Sequence, residues 1–138
     1  MQKQQGFSLI ELLVVIGIIG ALTAIAIPQY QKYQDKAKVT AAIATLTNMR
    51  SVVEAEIMEE GAFPQNDKKN KENLGIPDEV ELTDITGVEG NMKLDVQGMP
   101  KGNQVILARN KEGKWKCTQP TDIKVNGCES KSTNKPTP

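Results

Sequence analysis

An α+β fold is predicted: one long N-terminal helix, membrane-spanning in its first half, packed against an antiparallel sheet of three or four strands. Three observations predict it. Residues 7–27 are an apolar run whose one charged side chain is Glu11. A stripe of apolar residues at helical spacing follows, from Val39 to Ile57. Between residues 92 and 118, apolar and polar residues alternate, as in strands with one buried and one solvated face.

At 138 residues the chain has room for one domain of ordinary size. Its 17 basic and 17 acidic side chains cancel, so no global field draws it to nucleic acid or to an acidic surface. Charge is uneven locally: residues 65–90 carry a net −4 and residues 111–138 a net +3. That separation would let one end of the folded part attract the other end of a neighbour. Histidine is absent, which removes the commonest general base and the commonest metal ligand. Two cysteines, Cys117 and Cys128, fall short of the four ligands of a structural zinc site. They can form one disulfide, which would imply an oxidising compartment.

As a helix, residues 7–27 would extend about 31 Å, matching a hydrocarbon core of about 30 Å. The short polar stretch before them, residues 1–6, is positive through Lys3 and the amino terminus. Positive flanks stay cytoplasmic, so the remainder is expected to face outward. The apolar run stops at Pro28, but the helical signal continues. Val39, Ile43, Leu46, Met49, Val53 and Ile57 recur at spacings of three and four, with good helix formers such as Ala37, Ala41, Ala44 and Ala55 between them. Gly61 and Pro64 supply a stop. One nearly continuous helix of about 80 Å is expected over residues 7–60. A domain of this size covers only part of it, so the first half is expected to bury itself in something else.

Because of Glu11, that something cannot be lipid alone. A carboxylate deep in a bilayer costs about 2.5 to 3.5 kcal/mol on insertion scales, and less when a cation pairs with it. The cluster Gly6-Phe7-Ser8-Leu9-Ile10-Glu11 at the head of the apolar run resembles the type IV pilins, with the type III signal sequence of a prepilin and a type IVa-like major-pilin layout. The match runs motif by motif from Gly6 to about Tyr33, and in general layout beyond. It implies that a prepilin peptidase cuts between Gly6 and Phe7 and that Phe7 is then N-methylated. It also implies that Glu11 pairs with the ammonium of Phe7, its own or a neighbouring subunit's. Gly20 and Pro28 fall where pilin helices loosen or kink on packing into the filament. The physics agrees, since glycine weakens a helix by about 1 kcal/mol and proline removes a backbone bond. Two plainer readings compete. Ala24-Ile25-Ala26 fits a signal-peptidase site that would release a domain starting at Ile27, but the apolar stretch is longer than such signals and contains Glu11. A simple membrane anchor explains the span but not the cluster of Gly6, Phe7 and Glu11.

Residues 61–90 are polar and read as a connecting loop with anchors at Phe63, Leu74, Ile76 and Val80 and a short strand near residues 80–85. Strand signals follow at residues 92–96 and 104–109, then a turn at Asn110-Lys111-Glu112-Gly113 and a third strand over residues 114–118. Trp115 is read as core. A disulfide between Cys117 and Cys128 would contribute about 3 kcal/mol by closing its loop. The enclosed segment resembles the disulfide-bounded loop near the carboxyl end of many pilins, which leaves open a structural staple or an exposed contact loop. The expected segments are thus a leader (1–6), an assembly helix (7–28), its amphipathic half (29–60), the loop (61–90), the sheet with its disulfide loop (91–128) and a mobile polar tail (129–138).

No metalloprotease helix, phosphate-cradling loop, dinucleotide fingerprint or nucleophile elbow is present, so neither a catalytic residue nor a cofactor or metal is expected. Asp78, Glu79, Glu81 and Asp84 match no defined calcium loop and read as a solvated face. The lysines of residues 111–135 have few aromatics beside them and read as solvated surface rather than a DNA site. The expected function is that of a structural subunit of a type IV pilus, processed after Gly6 and polymerised through its N-terminal helix. Its partners are then other copies of itself, the prepilin peptidase and the assembly machinery of the inner membrane, with surface, cell or DNA contacts through the filament. The alternatives are a pseudopilin of a type II secretion system and a membrane-anchored or secreted binding module that does not polymerise.

Overall fold

A computed structural model describes residues 6–131, and its first element is helix α1, Leu9–Glu60. The rest of the expected leader, residues 1–5, and residues 132–138 of the expected tail lie outside the described residues. The chain divides into two units, residues up to Asp35 and residues from Lys36 onward.

In the first unit the helix opens on a reciprocal cap. The backbone N–H of Glu11 donates to Ser8 Oγ at 3.2 Å, and the backbone N–H of Ser8 donates to Glu11 Oε2 at 3.4 Å. This Ser-x-x-Glu arrangement satisfies two backbone donors that a helix start leaves unpaired. Pro28 lies within the helix. Every described side chain from Gly6 to Gln34 is exposed.

In the second unit the remaining turns of α1 present a narrow seam. Val39, Ala42, Leu46 and Val53 are buried, and Met49 is partly buried in register with them. The seam alternates steps of three and four residues, the spacing of a helix laid along one packing surface. Ile43 from the expected stripe is only partly covered, and the smaller Ala42 takes the central position. The helix ends at Gly61, whose φ of 74° is left-handed and whose N–H reaches Ile57 O at 2.8 Å.

The segment expected to be a connecting loop with a short strand near residues 80–85 holds that strand and, in addition, a short helix. Helix α2, Lys68–Leu74, starts at Asp67, which accepts from the Asn70 N–H at 2.9 Å. It stops at Gly75, where the Gly75 N–H bonds Glu72 O and the Ile76 N–H bonds Lys71 O. This double closure of the last carbonyls makes a seven-residue segment helical although Leu74 is its single apolar side chain. Lys71 of α2 is buried, and its Nζ donates to the carbonyls of Asp78 at 3.1 Å and Val80 at 3.3 Å, with Asp78 Oδ1 at 3.4 Å. The ammonium thus fixes the chain at the entry to the sheet.

The sheet has five strands in sequence order: β1 (Glu81–Thr86), β2 (Glu89–Asp95), β3 (Gln104–Arg109), β4 (Trp115–Gln119) and β5 (Glu129–Ser130). The first four pair antiparallel, as the alternating pattern predicts. The fifth runs parallel to β4 and makes the sheet mixed, with one strand more than expected. Leu82, Met92, Val105 and Leu107 face inward and form one core with the helical seam, Phe63, Ile76, Val80 and Val96. Phe63 lies against the backbone of Gly90, where an added Cβ would approach the ring to 2.6 Å.

Cys117 and Cys128 are joined by a disulfide. The bond also explains β5. The partners of β4 and β5 are Thr118 with Glu129 and Gln119 with Ser130, so the pairing continues the offset of 11 residues between the two cysteines. Ser130 Oγ donates to Thr121 O and secures the end of the strand. The start of the expected tail is therefore sheet, because the disulfide delivers residues 129 and 130 to an open strand edge.

Candidate assembly site

The predicted site residues fall into two groups. Phe7, Glu11, Gly20 and Pro28 belong to the first unit, with Gly6 just before them, and Cys117 and Cys128 belong to the second. Phe7 is 80% exposed, and Leu9, Ile10, Leu13, Ile16 and Ile25 each stand at least 60% exposed on the helix that follows. Burying one such side chain is worth about 1.5 to 3 kcal/mol, so this surface demands cover that the described residues do not supply. The helix is long and apolar enough to cross a membrane.

Glu11 lies in the first helical turn, where a negative charge is favoured by the helix dipole and the cap with Ser8 holds its carboxylate. Phe7 precedes this cap by one residue, so its backbone nitrogen lies at the same end of the helix as the carboxylate. Sequence reasoning singled out Glu11 by its isolation in an apolar run. The role of Ser8 was readable too, from the Ser-x-x-Glu spacing, but the sequence reading did not use it. At Gly20 an added Cβ would meet nothing within 4 Å, so the described chain itself does not require glycine there.

In the second unit the structure assembles a polar cluster that the sequence reading missed. Glu54 of α1 accepts from Arg109 Nε at 2.7 Å and from Trp115 Nε1 at 2.8 Å through the same oxygen. Arg109 also donates to Val88 O at 2.8 Å, and the Arg50 guanidinium lies 5.6 Å from the centre of the Trp115 ring. The Arg109 hydrogen bond holds the Glu54 carboxyl below its ordinary pKa. Burial opposes that shift, while the Trp115 N–H and the charges of Arg109 and Arg50 add to it. Trp115, expected as core, is half-buried and ties helix to sheet through its N–H. Glu54 carried little sequence signal: it is one acid among several at the end of a helix.

The disulfide loop folds around Gln119, which is fully buried. Its Nε2 donates to Ile123 O at 2.6 Å, and its Oε1 accepts from the Thr121 N–H at 2.7 Å. Among the described residues, no group of three His, Cys, Asp or Glu side chains is placed to hold a metal ion. Asp84 instead accepts from Asn91 Nδ2 at 2.8 Å across β1 and β2.

A membrane-length helix left bare and a disulfide-stapled α+β domain define an anchored subunit that is completed by what surrounds its first helix. Comparison with known proteins gives the family. Residues 36–133 match the family model for pilin, a bacterial filament protein, and residues 1–27 match the prokaryotic N-terminal methylation motif. The chain is 31% identical to a fimbrial protein of Pseudomonas aeruginosa, over 85% of this chain and 86% of that one. It is 34% identical to the type IV major pilin protein PilE1 of Neisseria gonorrhoeae, over 85% and 77%. Identity to the type IV major fimbrial protein FimA of Dichelobacter nodosus is 28%, over 93% and 97%. The chain belongs to the pilin family and is a structural subunit of a type IV pilus. Such a subunit is anchored in the membrane through its apolar helix and then assembled into an extracellular filament.

Proposed function

We propose that the chain is a prepilin whose assembly is switched on by hydrolysis of the Gly6–Phe7 peptide bond. Water adds across that bond, so Gly6 leaves with a carboxylate and Phe7 acquires an amine. In its neutral form that amine takes a methyl group from an external methyl donor and gives up a proton, and the methylated amine is then protonated. Prepilin peptidase performs the cut, and the inner-membrane assembly machinery receives the product. Before the cut the Phe7 nitrogen is a neutral amide; afterwards it is a cation at the helix end that holds the Glu11 carboxylate.

The observation that carries this reading is the Ser8–Glu11 cap at the head of a bare apolar helix. A cation placed there would offset the cost of a carboxylate among apolar side chains, whether it comes from the same subunit or from the next. Copies then pack helix to helix into a homopolymer, and the open space around Gly20 and the backbone N–H that Pro28 lacks within the continuous helix let it adjust to its neighbours. The chain acts as a structural protein and not as an enzyme, and the filament serves adhesion, twitching motility, DNA uptake or biofilm formation. The Cys117–Cys128 staple favours a pilus over a secretion-system pseudopilin.

The test is a strain carrying Glu11→Val. The subunit is expected to be made, cleaved and retained in the membrane, with no surface filaments. Filaments of normal number and length from that strain would remove Glu11 from the assembly mechanism.

A further inference from the structure

Tyr30 and Tyr33 are the only tyrosines in the chain, and they stand 65% and 70% exposed just past the end of the apolar run at Ile27. Nothing in the pairing of Phe7 with Glu11 uses them. Their height along the helix is informative. At 1.5 Å per residue, Tyr30 and Tyr33 lie about 4.5 and 9 Å beyond Ile27. If residues 7–27 fill a hydrocarbon core of about 30 Å, the headgroup layer occupies roughly the next 5 to 7.5 Å on each side. The Tyr30 backbone lies inside that layer and the Tyr33 backbone just beyond it, by about 1.5 Å or more. Side chains of a helix lean towards its N-terminus, so both rings tilt back towards the bilayer.

The chemistry of the segment fits the same layer. A phenol has an apolar ring and a hydroxyl that needs a polar partner, which is why tyrosine collects at membrane–water boundaries. Lys32, between the two, is the first charged side chain after Glu11 and is exposed. Its apolar stem follows the helix while its ammonium reaches phosphate. We propose that Tyr30, Lys32 and Tyr33 form an anchor in the outer headgroup layer, binding the glycerol and phosphodiester groups of phospholipids while the subunit waits in the membrane. The proposal rests on the reading that residues 7–27 cross the bilayer.

With only two tyrosines, ring-labelled [13C]tyrosine reports on this segment alone. The full precursor would be reconstituted in vesicles of phosphatidylethanolamine and phosphatidylglycerol, and carbon–phosphorus dipolar recoupling measured in the solid state. The expected result is loss of the tyrosine ring signal on recoupling to lipid phosphorus, with little broadening from a water-soluble paramagnetic ion. Ring signals that ignore phosphorus and broaden with the aqueous ion would overturn the anchor. Coupling of the rings to a second, differently labelled copy instead of to phosphorus would also overturn it. Flotation of the same vesicles separates the two levels of failure. Protein absent from the floated vesicles contradicts the spanning helix itself, whereas protein present without phosphorus coupling contradicts only the anchor.

Discussion

Arg109 of β3 reaches across to α1 and donates through Nε to Glu54 Oε1 at 2.7 Å, an oxygen that Trp115 of β4 shares at 2.8 Å. One carboxylate thereby fastens the helix to two neighbouring strands. The arginine side chain is about nine-tenths covered, whereas that of Glu54 remains 37% exposed. Removing the acid strands a nearly buried cation, which is the costlier half of such a pair to leave unpaired.

Glu54→Gln is therefore expected to destabilise the folded domain by about 1 to 2 kcal/mol, after allowance for the exposure of Glu54. The effect depends on pH. Because the folded carboxyl titrates below its ordinary value of 4.5, its contribution is fully present above that value and is lost as pH falls through the lower folded pKa. The stability gap between wild type and Glu54→Gln should shrink as the pH is lowered below 4.5. Urea unfolding followed by the fluorescence of Trp115, the single tryptophan, measures both. A gap that stays constant down to pH 3 would contradict the pairing.

Gly90→Ala probes the close approach of Phe63. An added Cβ would meet the ring at 2.6 Å, against a backbone that is paired with Arg109 in the sheet. Overpacking of this kind costs about 1 to 3 kcal/mol. The double variant Gly90→Ala with Phe63→Leu should recover part of the loss, measured as non-additivity in the same unfolding assay.

Cys117→Ser should lower the stability of the domain by about 3 kcal/mol. It should also release β5, since the register of β4 and β5 repeats the offset of the cysteines. Hydrogen exchange at Glu129 and Ser130 reads that release. Protection unchanged from wild type would mean that β5 pairs without the staple.

What the sequence made legible followed physical signals that are strong locally. An uninterrupted apolar run, a helical stripe and two-residue alternation each extend over several turns or strands, so the α+β fold with its long helix could be read directly. Three features were not legible for three different reasons. Helix α2 has no apolar face, and its two ends, capped at Asp67 and Gly75, define it in place of periodicity. Strand β5 is only two residues long and is positioned by a covalent bond to a residue 11 positions away. The Glu54 cluster joins residues 55 and 61 positions apart, and no local pattern records a contact at that separation. At the candidate site the carboxylate was legible because it breaks an apolar pattern, while its partner Ser8 looked like an ordinary residue beside it.

Ser8→Ala tests that partnership. The variant loses the hydroxyl that accepts the Glu11 N–H, and Ser8→Thr keeps it. Assembly in the alanine strain should fall several-fold while cleavage at Gly6 continues, and threonine should restore it. Equal filament yields from the alanine and threonine strains would assign Ser8 no part in positioning Glu11.

The most direct measurement is the intact mass and amino-terminal sequence of the subunit recovered from sheared surface filaments. A chain that begins at Phe7 and is heavier by one methyl group is the predicted result. A chain beginning at Ile27, or one that still begins at Met1 and is found only in the membrane, would contradict processing and assembly through the N-terminal helix.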